Sequence, residues 1–193
     1  CSRLYTKKST IMKKPFFEKP ARIFAHRGYS KEYPENTALA FEKAIALGAD
    51  VIETDAHLTR DGHVVIVHDE ELSHITDGKG NVGQLTLHEI KQLDAAYHFS
   101  LDGETYPYRG KGFTIMTLEE MLDAFPEQRF NVDLKDNTIV LAEKFCDIVL
   151  SHKSEHRVLG ASQHGKNLQY IRKRIPTMAT SFGLWGVLGF YFL

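Results

Sequence analysis

The stretch "IFAHRGYSKEYPENTALAFEKAIALGADVIETDAHL", residues 23–58, decides how the chain folds. Ile23, Phe24 and Ala25 read as a buried strand, Gly28 and Pro34 mark a loop, and Asn36 or Thr37 offers a side-chain oxygen to cap a helix. Ala38, Phe41, Ala44 and Ile45 then recur at helical spacing as far as Gly48, a natural helix stop. "DVIETDAHL" follows as a second strand. This alternation builds a parallel sheet, and it sets His26 and Arg27 at the carboxyl end of the first strand, where a rigid scaffold positions loops for ligands.

The same rhythm continues downstream. Asp61 and Gly62 make a tight turn into "HVVIVHD", whose Val64–Val67 run is apolar on both faces and therefore buried. "TLHE" at 86–89 and "TLEE" at 117–120 are capping boxes that open helices. "RFNVDLK", a helix through Cys146, "RVLGAS" and "TMATSFG" extend the pattern. Strands separated by helix-length segments imply a parallel sheet under helical cover, and their number favours a (β/α) barrel over a doubly wound sheet. No glycine-rich dinucleotide or P-loop signature supports the latter.

Composition narrows the function classes. With 193 residues, 42% hydrophobic and 25% charged, the chain can bury one real core, and a net charge of -1 without a basic stripe gives no reason to invoke nucleic acid. Cys1 and Cys146 are too few for a disulfide framework or a zinc site, so Cys146 is expected to be a buried small hydrophobe. Residues 1–20 form a basic, weakly patterned lead, expected outside the barrel, and residues 21–193 form the barrel domain. The chain opens on Cys1, which suits either a fragment boundary or a lipid-anchored mature terminus. The closing "FGLWGVLGFYFL" is too short to span a membrane, which takes roughly 20 apolar residues, and reads as interrupted core.

Strand parity gathers the chemistry. Along "VIETDAH", Glu53, Asp55 and His57 face one way and Ile52, Thr54 and Ala56 the other. Along "FNVDLK", Asn131, Asp133 and Lys135 share one face while Phe130, Val132 and Leu134 form the apolar side. One such strand is explained equally well by a solvated edge. Two of them crowd carboxylates together, and a hard divalent cation such as Mg²⁺ or Ca²⁺ relieves their repulsion through oxygen ligands. Of ten histidines, His63, His74, His88, His98, His152 and His156 lie in polar or turn segments and are expected at the surface. His26 and His68 each end an apolar strand and would emerge at one barrel mouth, a pair suited to general acid and general base. Arg27 and Lys135 add fixed positive charge, which together with a cation suits a phosphate. Glu35 precedes a helix, whose positive end explains a glutamate there, and it is left outside the catalytic set.

The motifs "HRG" at 26–28, "PENT" at 34–37, "ETD" at 53–55, "HD" at 68–69 and "NVDLK" at 131–135, in this order and spacing, resemble the glycerophosphodiester phosphodiesterase family. The likeness runs from about Arg22 to the last residue and takes in "LTRDGHVVIVHD", "TDGKG", "TLEEML", "LGAS" and "ATSFG". It implies a TIM-type (β/α)8 barrel with His26 and His68 as the acid/base pair. Glu53, Asp55 and Asp133 would be the metal ligands, with Arg27 and Lys135 at the phosphate. Many members carry glutamate where Asp133 stands, so the metal's position or affinity is expected to differ. Six strands can be counted against the eight of a closed barrel, and the family's later Trp-Thr-x-Asn and Asp-Gly segments are absent, so the barrel is expected to be truncated at its carboxyl end.

The expected activity is metal-dependent hydrolysis of a small or lipid-derived glycerophosphodiester to an alcohol and glycerol 3-phosphate. The alternatives are a lysophospholipase D or phospholipase C-like enzyme, and an inactive metal-binding fragment. A location in the cell envelope, or at a membrane through a lost leader or a lipidated Cys1, is slightly favoured over the cytoplasm.

Overall fold

The computed structural model describes residues 14–181. Readings that fall on Cys1 and on the apolar segment 182–193 lie outside the described residues.

Phe24–His26 form β1, and the chain turns through the "HRG" loop into α1, Ala38–Ala46. Thr37 caps that helix, its Oγ1 accepting from the Ala40 N–H at 3.3 Å. The other candidate, Asn36, takes a left-handed backbone at φ 55° and accepts at Oδ1 from the Thr54 hydroxyl at 2.7 Å. Gly48 ends α1 at φ 87°. Val51–Leu58 form β2, parallel to β1 in the register His26 opposite Glu53. Val64–Ile66 form β3, and the capping boxes of Thr86 with Glu89 and Thr117 with Glu120 open α2, Leu87–Ile90, and α3, Leu118–Ala124. Arg129–Leu134 (β4), Ile139–Ser151 (α4), Val158–Ala161 (β5), Gly165–Arg174 (α5) and Ala179–Thr180 (β6) complete the order.

The six strands expected are present, in a (β/α) barrel wall that runs β1-β2-β4-β5-β6, all parallel and unclosed among the described residues. β3 is the exception. It pairs with β2 antiparallel, off the wall, because β2 overshoots the other strands and the Asp61–Gly62 turn folds the chain back on it. The reading of Ile23 and Phe24 as buried is corrected: they are 52% and 49% exposed, since among the described residues β1 is an edge strand paired only with β2.

Outward-facing Ile52, Ala56, Phe130, Val132 and Leu134 pack with Phe41, Phe145 and Met121 in the main core between sheet and helices. Cys146 lies fully buried there, and burial pushes its thiol up to about 12. The inner face is graded. Its amino-terminal floor is apolar, with Phe16 packed on Val51, Leu159, Ala161 and Ala179. Arg129 holds the segment that carries Phe16 by donating to the carbonyls of Phe16, Lys19 and Pro20. Toward the carboxyl ends the same face turns polar.

Candidate active site

β2 and β4 lie side by side with Glu53 opposite Asn131 and Asp55 opposite Asp133, so the polar faces expected from parity meet in one cluster. Asp55 is 1% exposed. Lys135 continues β4 and sets its ammonium between the two aspartates, 2.8 Å from Asp55 Oδ1 and 2.9 Å from Asp133 Oδ2. Burial works against that charge, but the two carboxylates outweigh it and hold the Lys135 pKa above its ordinary value. Glu53 has no such partner. Burial, and then the neighbouring Asp55 charge, push its carboxyl up to about 7.

The "HRG" loop bends over this cluster. Arg27 takes a left-handed backbone at φ 55°, uncommon for a side-chain-bearing residue, and is held there by donating its N–H to the Glu53 carbonyl at 2.8 Å. Its Nη1 reaches both oxygens of Glu35 at 3.1 and 2.9 Å, and its Nε lies 3.6 Å from Asp55 Oδ2. Glu35 therefore orients Arg27, a task that the helix-end explanation of that glutamate did not contain. His26 is exposed and stands with Nε2 3.7 Å from Glu53 Oε2.

His68 arrives by a different route from His26. The β2–β3 hairpin folds back until the Val67 N–H donates to the Asp55 carbonyl at 3.0 Å, one residue before His68. Its Nδ1 is paired with Asp69 Oδ1 at 2.6 Å, and His74 stands 3.6 Å from the other Asp69 oxygen. Of the histidines expected at the surface, His63, His74, His88, His98 and His156 are exposed, while His152 is half-buried against the Ile148 carbonyl.

Three more residues belong to this region. His57, next along the face of Glu53 and Asp55, pairs through Nδ1 with Asp136 Oδ1 at 2.6 Å. Burial lowers its pKa, and the Asp136 carboxylate more than offsets this, leaving it raised. His164 Nε2 lies 3.0 Å from the Lys135 carbonyl. Parity alone pointed to His57. No sequence signal marked Asp136 or His164, whose partners, the His57 ring and Leu58 N–H for the one and the Lys135 carbonyl for the other, lie far off along the chain.

Two buried oxygens, Glu53 Oε2 and Asp55 Oδ2, have no hydrogen-bond partner. Hard, anionic and mutually repelling, they fit a divalent cation as donors. Asp133, the third expected ligand, is engaged by Lys135. Among the described residues no group of three histidine, cysteine, aspartate or glutamate side chains is gathered closely enough to hold an ion. The fit therefore rests on the Glu53–Asp55 pair.

His26, paired carboxylates and a lysine on or just beyond the parallel strands β1, β2 and β4 define a (β/α) barrel chain with a polar site at its mouth. The chain belongs to the glycerophosphoryl diester phosphodiesterase family, whose profile matches residues 26–183. It is 38% identical over 159 residues to a glycerophosphodiester phosphodiesterase of Caldanaerobacter subterraneus, covering 80% of this chain and 63% of that one. It is 33% identical over 172 residues to a lysophospholipase D of Mus musculus, covering 87% and 53%. The fold is similar to the glycerophosphoryl diester phosphodiesterase domain of a Mycobacterium tuberculosis protein, with TM-score 0.80, 26% identity and coverage of 90% and 64%. It is also similar to an Oleispira antarctica phosphodiesterase solved with its product sn-glycerol-3-phosphate, with TM-score 0.68, 31% identity and coverage of 82% and 64%. The chain thus spans less than two thirds of the length of these relatives.

Proposed function

We propose that this protein hydrolyses glycerophosphodiesters to an alcohol and glycerol 3-phosphate. The observation that carries the reading is the meeting of Arg27, Lys135 and two partnerless carboxylate oxygens, with His26 Nε2 3.7 Å from Glu53. The family match and the names of its relatives support it.

Arg27, oriented by Glu35, binds the phosphodiester anion, and Lys135 holds Asp55 and Asp133 in place while adding positive charge beside the phosphoryl oxygens. One of His26 and His68 removes a proton from water or from the neighbouring glycerol hydroxyl, and the other protonates the departing alcohol oxygen. Asp69 engages Nδ1 of His68, so Nε2 is the atom that exchanges the proton. Glu53 and Asp55 would hold a divalent cation, Mg²⁺ or Ca²⁺, with Asp133 shared between it and Lys135. Bound there, the cation would neutralise charge on the phosphoryl oxygens. A polar groove of about 570 Å³ lined by Arg60, Glu70, Lys135, Asn137 and His164 adjoins the lysine.

A second reading is favoured by the likeness to the murine lysophospholipase D, which covers more of this chain than the bacterial relative does. In it the glycerol carries an acyl chain. Among the described residues no helix is long and apolar enough to cross a membrane. Assaying glycerophosphocholine against lysophosphatidylcholine, each with and without chelator, decides between the readings. Hydrolysis of neither substrate in the presence of Mg²⁺ or Ca²⁺ would overturn both.

A further inference from the structure

We propose that His57 is a positioning residue that fixes His68 and ties it to the segment bearing Lys135. The antiparallel ladder between β2 and β3 ends at Ala56 opposite Ile66, followed by the Val67 N–H to Asp55 bond. Beyond that point the backbone of His68 has no ladder partner on β2. His57 Nε2 lies 3.0 Å from the His68 carbonyl oxygen and donates to it, supplying the missing bond. This imidazole is only 5% exposed, so the contact is protected from water.

The other ring nitrogen faces the far side of the mouth. Nδ1 donates to Asp136 Oδ1 at 2.6 Å, and Asp136 Oδ2 accepts from the Leu58 N–H at 2.7 Å. Asp136 sits on a rigid base. Ser162 Oγ donates to the Leu134 carbonyl at 2.7 Å, His164 Nε2 to the Lys135 carbonyl at 3.0 Å, and Asn167 Nδ2 to the Asp136 carbonyl at 2.9 Å. Three successive carbonyls, from the last residue of β4 onward, are thus held by side chains that follow β5. One imidazole connects this anchored segment, which carries Lys135, to the hairpin end, which carries His68.

A histidine that merely satisfies buried polar groups would stabilise the fold without acting on His68 in particular. Only the kinetic part of the test depends on the phosphodiesterase reading. His57→Gln and Asp136→Asn are made in the full chain, and the hydrogen-bonded Nδ1 proton of His68 is followed by NMR in ¹⁵N-histidine-labelled protein, assigned by its loss in His68→Ala. We expect that resonance to shift or broaden in both variants while circular dichroism shows a folded chain. For glycerophosphocholine, kcat should fall about tenfold or more with KM within about twofold. Adding His57→Gln to His68→Ala should cost no further activity, because the one acts through the other. An unshifted His68 resonance in the folded variants, or losses that multiply in the double variant, overturns the proposal. Should His57→Gln not fold, Asp136→Asn, which keeps the side-chain volume, carries the test from the other end of the bond. A parent chain without hydrolysis would overturn the phosphodiesterase reading and leave the NMR result to decide the role of His57.

Discussion

Lys135 Nζ stands 2.8 Å from Asp55 Oδ1, beneath an aspartate that is 1% exposed, and this ammonium is the charge that lets the carboxylates share a buried face. Lys135→Ala leaves Asp133 facing Asp55 without its ammonium, and Asp55 with only the Arg27 guanidinium 3.6 Å away. Removing one partner of a buried pair costs about 3–5 kcal/mol, and the partial exposure of the lysine lowers this to about 2–4 kcal/mol. Denaturant unfolding in chelator is expected to show that loss, and added Mg²⁺ or Ca²⁺ is expected to recover part of it. No recovery would argue against a cation on Glu53 and Asp55.

His26→Ala and His68→Ala should each lower turnover by about 10² or more. Isothermal calorimetry on both variants should show divalent-cation binding close to that of the parent, since neither imidazole is part of the carboxylate pair.

Glu53 makes stability depend on pH in an uncommon direction. The folded chain keeps its proton up to about 7, against 4.5 for the free side chain, so between those values the folded state binds more protons than the unfolded one. Its contribution is complete below 4.5 and is lost as pH rises through 7. In chelator, Glu53→Gln is therefore expected to melt above the parent at pH 8 and level with it at pH 4. A constant difference across that range would contradict the burial of an unpaired glutamate.

Gly28→Ala should damage the fold directly. Gly28 adopts φ +80°, and an added Cβ would fall 2.7 Å from the Ala40 carbonyl carbon and 2.8 Å from Phe41 Cδ1. Left-handed strain and overpacking together cost about 2–5 kcal/mol. Equilibrium unfolding measures the change, and an unaffected midpoint would mean that the "HRG" loop packs differently on α1.

Much of this architecture was legible in the chain. Local signals located all six strands, and period-two alternation correctly divided Glu53 and Asp55 from Ile52 and Ala56. The Thr86 and Thr117 capping boxes stand where the motifs put them. What local pattern does not carry is pairing. The direction of β3, the exposure of Phe24 at a sheet edge and the bond from His57 to the His68 carbonyl all depend on which strand lies beside which. The Arg27–Glu35 pair escaped for a related reason. Eight residues apart along the chain, the two meet across a loop that closes where the Asn36 N–H donates to the Arg27 carbonyl at 3.1 Å.

The hairpin has an architectural consequence. Glu53, Asp55 and Asp133 stand on wall strands whose register is locked by parallel neighbours, whereas His68 follows β3 at the base of the antiparallel hairpin. The carboxylate cluster and His68 thus have separate mountings. The forty-odd residues between His68 and Met116 branch from the hairpin and rejoin the sheet where the Ile66 N–H meets the Met116 carbonyl. Length changes in that excursion can therefore be accommodated without disturbing the register of β2 and β4, which carry Glu53, Asp55 and Asp133.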